Sequence, residues 1–454
     1  MSTLKVNKLR DTAGSADAIT LDPNGGAVLA GVTTVSTVKV GSGVTISSDG
    51  DVFTTGITTS STVIVGSGVT ISESGIEASG IGVTCANING GQIAGRRNII
   101  INGAMNIAQR GTSHTPSNST STYQIDRFIM ENSNGGAYTV SQSSTAPDNK
   151  FKHSLKVDVT TADTSLSSAQ YCQFQQRVEG TNLTAVENFR QPMTFSFWVR
   201  SNKTGNYSFT LQQSDNSSRQ MSGQYTISAA NTWEKKIITV PADSSGAVND
   251  DNGIGMTITW GLAYGSNYTS GSVATNNAFK TYSSTDFGAG QGVNLLDSTD
   301  NEWYLTGVQM EIGTQATPFE FRSFGEELLL CQRYYYNHAD GGTNYAMGGN
   351  NGETTISENA TMYQSSNMFC SIKFPTQMRA KPTLEIETGS NYYISFSNGA
   401  SKGNFTGSST SLNSSTSTNL AAINNSDTGS STGGHTAIWR TSNAAARLAF
   451  TAEL

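Results

Sequence analysis

Charge is scarce in this chain. Asp, Glu, Lys and Arg make up 13% of its 454 residues, about half the share usual in soluble proteins. With 27 Lys plus Arg against 34 Asp plus Glu and a net charge of −7, no basic excess exists to grip nucleic acid or an anionic membrane. The only basic pair in the first half, Arg96–Arg97 with Arg110 nearby, reads as solvated junction residues. Cysteine is also sparse. Cys85, Cys172, Cys331 and Cys370 form no C-x-x-C and have no neighbouring His, so buried free thiols are expected rather than a disulfide framework. No apolar run approaches a membrane span. The opening MSTLKVNKLRDTAG has no signal-peptide core, so the expected site of synthesis and assembly is a cytoplasm, without membrane insertion.

Catalytic signatures are absent as well. There is no His-Glu-x-x-His, Gly-x-Ser-x-Gly, P-loop or dinucleotide fingerprint. His114, His153, His338 and His435 stand alone, none at metal-ligand spacing. Asp250-Asp251-Asn252-Gly253 resembles half a calcium loop, but the remaining spaced ligands and terminal Glu are missing. It reads as a plain turn. No acid-rich strand ends suggest a glycosidase pair. The expectation is a protein that is not an enzyme and has no cofactor.

What the sequence does contain is repetition. Residues 31–55, GVTTVSTVKVGSGVTISSDGDVFTT, are followed by 56–80, GITTSSTVIVGSGVTISESGIEASG, two copies of one 25-residue unit. Such a unit cannot bury a face alone and must stack on something. Two copies are too few for a single-chain solenoid, so other copies of the chain are expected as partners in a fibrous shaft over 31–97. Residues 81–95 read as a decayed third unit. Ahead of it, 1–30 read as an attachment segment with strands near Leu4–Val6 and Ala18–Leu21 and a turn at Asp22–Gly26.

From Asn98 the texture changes to clean strand alternation. Phe195, Phe197 and Val199 alternate with Ser196, Trp198 and Arg200. The same pattern recurs in Tyr207, Phe209 and Leu211, and in Met256, Ile258 and Trp260. A final strand places Val308, Met310 and Ile312 inward and Gln309 and Glu311 outward. This predicts a mainly β fold with an antiparallel β-sandwich of jelly-roll type over 98–322. Ser323-Phe324-Gly325-Glu326 fits a capping box. Phe324, Leu328, Cys331 and Tyr335 then form a helical stripe, predicting a core-facing linker helix over 323–336. A C-terminal β domain over 337–454 follows, with strands near Met368–Phe374, Thr383–Glu387, Tyr392–Phe396 and Ala437–Thr441. The Ser/Thr/Asn/Gly-rich tract from Ser397 to Gly434 reads either as exposed loops or as short hydroxyl-decorated strands.

Sugar binding needs little more than exposed aromatics beside neutral hydrogen-bonding groups. Trp233, Trp260, Tyr264 and Tyr268, in or beside sandwich loops, and Tyr392 and Tyr393 in the last domain are the candidate glycan-contacting residues.

Three strings carry a family likeness. NIIINGAMNIAQRG at 98–111, followed by Tyr123–Phe128, resembles the opening of a domain found in tail-fibre and other structural proteins of tailed bacteriophages. WYLTGVQMEIGTQATPFEFRSFGEELLLCQRYYY at 303–336 resembles that domain's ending, and KFPTQMRAKPTLEI at 373–386 resembles the domain that follows it. MSTLKVNKLRD is similar to the start of phage fibre and appendage proteins. The resemblance implies a carbohydrate-binding-type jelly roll on a homotrimeric virion fibre, joined through its N-terminus to a virion tail or neck protein. It implies contact with host surface polysaccharide or lipopolysaccharide, and it supplies no catalytic or binding residue. The alternative from the same family is a structural decoration of neck, tail or capsid without a receptor role.

Overall fold

The computed structural model describes residues 97–454 apart from 187–188, 216–217, 342–353, 427 and 429–430, together with the backbone of nine short strands before residue 79. Contacts divide the chain into two compact units, Met1–Cys85 and Ala86–Leu454. The expected strand at Leu4–Val6, the turn at Asp22–Gly26, the third repeat over 81–95 and Cys85 lie outside the described residues.

The nine strands of the first unit form three antiparallel three-stranded sheets. β1 (Lys8–Leu9), β2 (Ile19–Leu21) and β3 (Ala27–Leu29) make the first. The repeat copies make the others: β4 (Thr37–Val40), β5 (Val44–Ser47) and β6 (Val52–Thr54), then β7 (Thr62–Val65), β8 (Val69–Ser72) and β9 (Gly75–Ala78). The register repeats too, with Val40 opposite Val44 and Val65 opposite Val69.

The second unit opens with an antiparallel sandwich. Its strands are β10 (Ser113–His114), β11 (Ser121–Ile125), β12 (Phe128–Ser133), β13 (Ala137–Ser143), β14 (Ser154–Thr161) and β15 (Tyr171–Glu179). They continue as β16 (Met193–Ser201), β17 (Gly205–Gln213), β18 (Arg219–Ile227), β19 (Glu234–Val240), β20 (Ile254–Tyr264), β21 (Lys280–Thr281) and β22 (Glu302–Ile312). One sheet runs β10-β13-β14-β22-β16-β19, the other β11-β12-β15-β20-β17-β18-β21. Alternation sets the inner faces as expected. Phe195, Phe197, Phe209, Ile258 and Met310 are all buried, and the Phe197 and Phe209 rings stack 5.5 Å apart.

The outward residues of β22 depart from the pattern. Gln309 and Glu311 are buried, because residues 317–320 fold back over them. Thr317 N donates to Glu311 at 2.8 Å and Glu320 N donates to Gln309 at 2.8 Å. On the seven-stranded sheet, the polar outer residues Thr210 and Ser222 are likewise buried. The connection after β20, which holds the single turn α1 (Ser266–Thr269), closes over them, and Thr210 Oγ1 donates to Phe287 O at 3.0 Å.

Helix α2 (Phe324–Gln332) starts at the predicted capping box. Ser323 Oγ accepts from Glu326 N at 3.3 Å, and Glu326 accepts from Ser323 N at 3.0 Å. It ends earlier than expected, and Tyr335 belongs to the next strand. The predicted stripe is also corrected. Cys331 is buried with Ile101, Ile107 and Tyr334, but Phe324 is 64% exposed.

Beyond the helix lie β23 (Tyr335–Asp340), β24 (Thr355–Met362), β25 (Met368–Lys373), β26 (Thr383–Ile386) and β27 (Tyr393–Ser397). They are followed by β28 (Ala400–Phe405), β29 (Thr410–Leu412), β30 (Leu420–Asn425), β31 (Thr436–Thr441) and β32 (Arg447–Thr451). They form a three-stranded sheet, β23-β32-β26, and a seven-stranded one, β28-β27-β31-β24-β25-β30-β29. The tract from Ser397 to Gly434 therefore contains three short strands, the second of the two expected forms.

The sandwich and the C-terminal sheets are joined by buried polar contacts. Arg127 pairs with Glu453, donates to Arg177 O at 2.6 Å and lies 3.5 Å over the Tyr334 ring. Glu179 accepts from Arg333 Nε at 2.9 Å and from Tyr334 OH at 2.6 Å. Tyr123 OH and Arg177 Nη1 donate to Leu454 O at 2.9 and 2.8 Å. Cys172, Cys331 and Cys370 are buried free thiols, and burial pushes Cys172 and Cys370 up to about 12.

Candidate functional site

The six candidate aromatics separate by burial. Trp260 is 0% exposed, its ring 5.6 Å from Phe209 inside the sandwich. Tyr393 is also 0% exposed, donating to Glu387 O and Arg447 O at 2.8 Å each. Tyr264 is buried with its hydroxyl on Gln173. The expectation that these three face a ligand is therefore corrected. In each, strand alternation or a covering loop turns the ring into the protein. Tyr268 stays partly exposed, but its ring packs edge-on against Tyr171 at 5.6 Å. Tyr392, partly exposed, lines a hollow where the sandwich meets the C-terminal sheets.

Trp233 has the most developed surroundings. It precedes β19 at the edge of the six-stranded sheet and is half-buried. Its ring meets Tyr304 of β22 at 6.0 Å and 64°. Tyr304 stands on the sheet's outer face with Lys156 of β14 on one side in register and Arg200 of β16 on the other. The Arg200 guanidinium lies 4.9 Å and the Lys156 ammonium 5.7 Å from the Tyr304 ring centre. Such cation–aromatic contacts are favourable where water is partly excluded. Arg200 Nε is fixed by donating to Asn231 O at 3.0 Å.

A carboxylate completes the group. Glu302 accepts from Tyr304 OH at 2.7 Å and pairs with Lys156 at 2.6 Å. Burial pushes the Glu302 carboxyl up, but the Lys156 and Tyr304 hydrogen bonds outweigh it and hold the pKa below its ordinary value. Burial works downward on Lys156, and the bond to Glu302 with the nearby Tyr304 and Asp158 raises it overall. The cluster is thus a charged, hydrogen-bonding frame around an aromatic centre.

The aromatic character continues along the face. Trp198, two residues before Arg200 on β16, lies opposite Thr306. At the neighbouring Gly307 a Cβ would come within 2.9 Å of Trp198 and 3.0 Å of Phe151. Phe151 in turn packs on Phe319 at 5.2 Å and Phe321 at 5.1 Å, and Phe321 is 48% exposed. Ile237 of β19, on the same sheet, is 56% exposed. Sequence reasoning found Trp233 but missed Tyr304, Lys156, Arg200 and Glu302. Alternation could not find Tyr304. The phase of Val308, Met310 and Ile312 marks it as inward, and only the register shift at Gly307 turns Trp303 and Leu305 inward and Tyr304 outward.

The turn at Asp250–Gly253 has structural work. Asp251 Oδ1 accepts from Gly253 N at 2.8 Å, and Asn252 O accepts from Arg379 Nη1 at 2.7 Å. Among the described residues, no group of His, Cys, Asp and Glu is arranged to hold a metal ion.

No family model matches the chain, and no curated protein matches it either. Similar solved structures include the enzymatically active domain of tailspike protein 4 of bacteriophage CBA120. It is 13% identical over 47% of this chain, with a TM-score of 0.27, and this chain spans 21% of its length. A putative sugar-binding protein from Bacteroides thetaiotaomicron is 12% identical over 48% of this chain and 100% of its own, with a TM-score of 0.25. The family 11 carbohydrate-binding module from Clostridium thermocellum is 11% identical over 45% of this chain and 98% of its own, with a TM-score of 0.23. The likeness to all three is distant.

Proposed function

We propose that this chain is a virion fibre or appendage protein of a tailed bacteriophage that attaches to host surface glycans through the outer face of its six-stranded sheet. The observation that carries the reading is the half-buried Trp233 held against Tyr304 within the frame of Lys156, Arg200 and Glu302. A sugar presents C–H groups on one side and hydroxyls at its rim. Trp233 offers the first an aromatic surface, while Lys156 and Arg200 donate to the second and Glu302 accepts from it. The site binds and releases, with no bond broken and no cofactor.

Each such contact is weak, so the reading includes a homotrimer whose linked copies raise avidity. The repeated sheets of the first unit supply reach and a place for copies to join, and the N-terminal segment meets a tail or neck protein. Light scattering of the purified protein should give three chain masses; a monomer would sink the trimer. Adsorption to host cells should fall about tenfold per site in Trp233→Ala, since stacking contributes ~1 kcal/mol or somewhat more. A wild-type protein that does not adsorb would favour the structural-decoration alternative, and release of reducing sugar would make the protein an enzyme.

A further inference from the structure

A second polar recess lies elsewhere on the Ala86–Leu454 unit. Two adjoining hollows of about 590 and 450 Å³ open where the start of the sandwich meets the C-terminal sheets, and Arg110, Glu387 and Arg447 line both. None of the residues around Trp233 takes part.

Arg447, at the start of β32, organises the recess. One terminal nitrogen lies 2.9 Å from both Glu385 and Glu387, and the other donates to Arg110 O at 3.2 Å. The guanidinium is thereby fixed, while the Glu387 side chain remains 52% exposed and that of Glu385 37% exposed. Exposed carboxylate oxygens beside a fixed guanidinium put an acceptor and donors next to one another. Two neighbouring hydroxyl groups on a ring need that pairing, because each both donates and accepts. The smaller hollow adds the partly exposed Tyr392 ring, and the larger adds the hydroxyls of Thr120 and Thr122. Both glutamates pair with Arg447, Arg110 is paired with Glu453, and Asp340 also lines the smaller hollow, so the recess has no free positive charge to select an anionic ligand.

We infer that this recess is a second carbohydrate subsite, taking a neutral saccharide with vicinal hydroxyls over Arg447 and Glu387 and its apolar ring side against Tyr392. The inference rests on the glycan-attachment reading but on different residues. A fibre head with two dissimilar subsites would engage separate sugar residues of one polysaccharide, raising selectivity as well as avidity.

The test uses the full chain on an array of purified bacterial O-chains and capsular polysaccharides, comparing wild type with Trp233→Ala, Glu387→Gln and Tyr392→Ala. Both altered recess side chains are partly exposed, so equal thermal midpoints should accompany any change in binding. The expected result is about tenfold weaker retention of neutral polysaccharides by Glu387→Gln and by Tyr392→Ala. Wild-type retention by both, with loss only in Trp233→Ala, would overturn the recess and leave the sheet-face reading standing. A wild-type chain that retains no polysaccharide would overturn both.

Discussion

Glu179 shows how one residue ties pH to stability in this fold. Its side chain is fully buried, with the Arg333 guanidinium and the Tyr334 hydroxyl on its two oxygens. Burial pushes its carboxyl up, yet the Arg333 and Tyr334 hydrogen bonds outweigh burial and bring the pKa below the ordinary 4.5. A carboxyl whose folded pKa is depressed stabilises the protein above its unfolded pKa. That contribution is lost as pH falls through the folded value. Glu179→Gln should therefore cost about 2 kcal/mol at neutral pH. Its urea midpoint should also fall less than wild type's on acidification through about pH 5 to 3. Asp126, which burial raises, works in the opposite sense but is common to both proteins. Parallel pH curves for the two would show that Glu179 contributes no linkage.

At the scale of elements, Gly307 decides how β22 pairs with β16. It has φ +62°, and the register shifts between Ser196 and Trp198 opposite it. This is a bulge at which a side chain is both strained and crowded, since a Cβ would meet Trp198 at 2.9 Å. Gly307→Ala should destabilise by roughly 1–2 kcal/mol, read as a lower denaturant midpoint with unchanged slope. Wild-type stability would mean that the strand accommodates the methyl by shifting. The strands themselves were legible, because alternation in Phe195–Val199 or Met256–Trp260 is a local property of the chain. The capping box of α2 was legible for the same reason. Coverage was not. Gln309 and Glu311 follow the outward phase yet lie buried under residues 317–320, and Phe324 follows a helical stripe yet faces solvent. The candidate site shares this limit. Trp260 and Trp233 carry the same chemistry. Trp260 continues the apolar phase of Met256 and Ile258, which already marked it for the core, whereas only the packed sheets put Trp233 at an edge beside Tyr304.

For the molecule as a whole, the question is whether the sandwich and the C-terminal sheets open together. Arg127 and Glu453 are separated by 326 positions, so nothing local in the sequence marked them as partners. Arg127 sits at φ +71° between β11 and β12, its side chain 2% exposed. Glu453 follows β32 and also pairs with Arg110 at 3.2 Å. Removing the Glu453 charge would leave a guanidinium buried without its counter-ion, which costs roughly 3–5 kcal/mol. The cost falls on both sides of the junction, because Arg127 belongs to the sandwich and Glu453 to the C-terminal sheets. Amide exchange in wild type should then give one shared opening free energy for β12, β15 and β32. In Glu453→Gln all three should lose protection together. Loss confined to β32 would mean that the C-terminal sheets open alone. The recess around Arg447 would then be held in shape by contacts far weaker than those of the sheet face at Trp233.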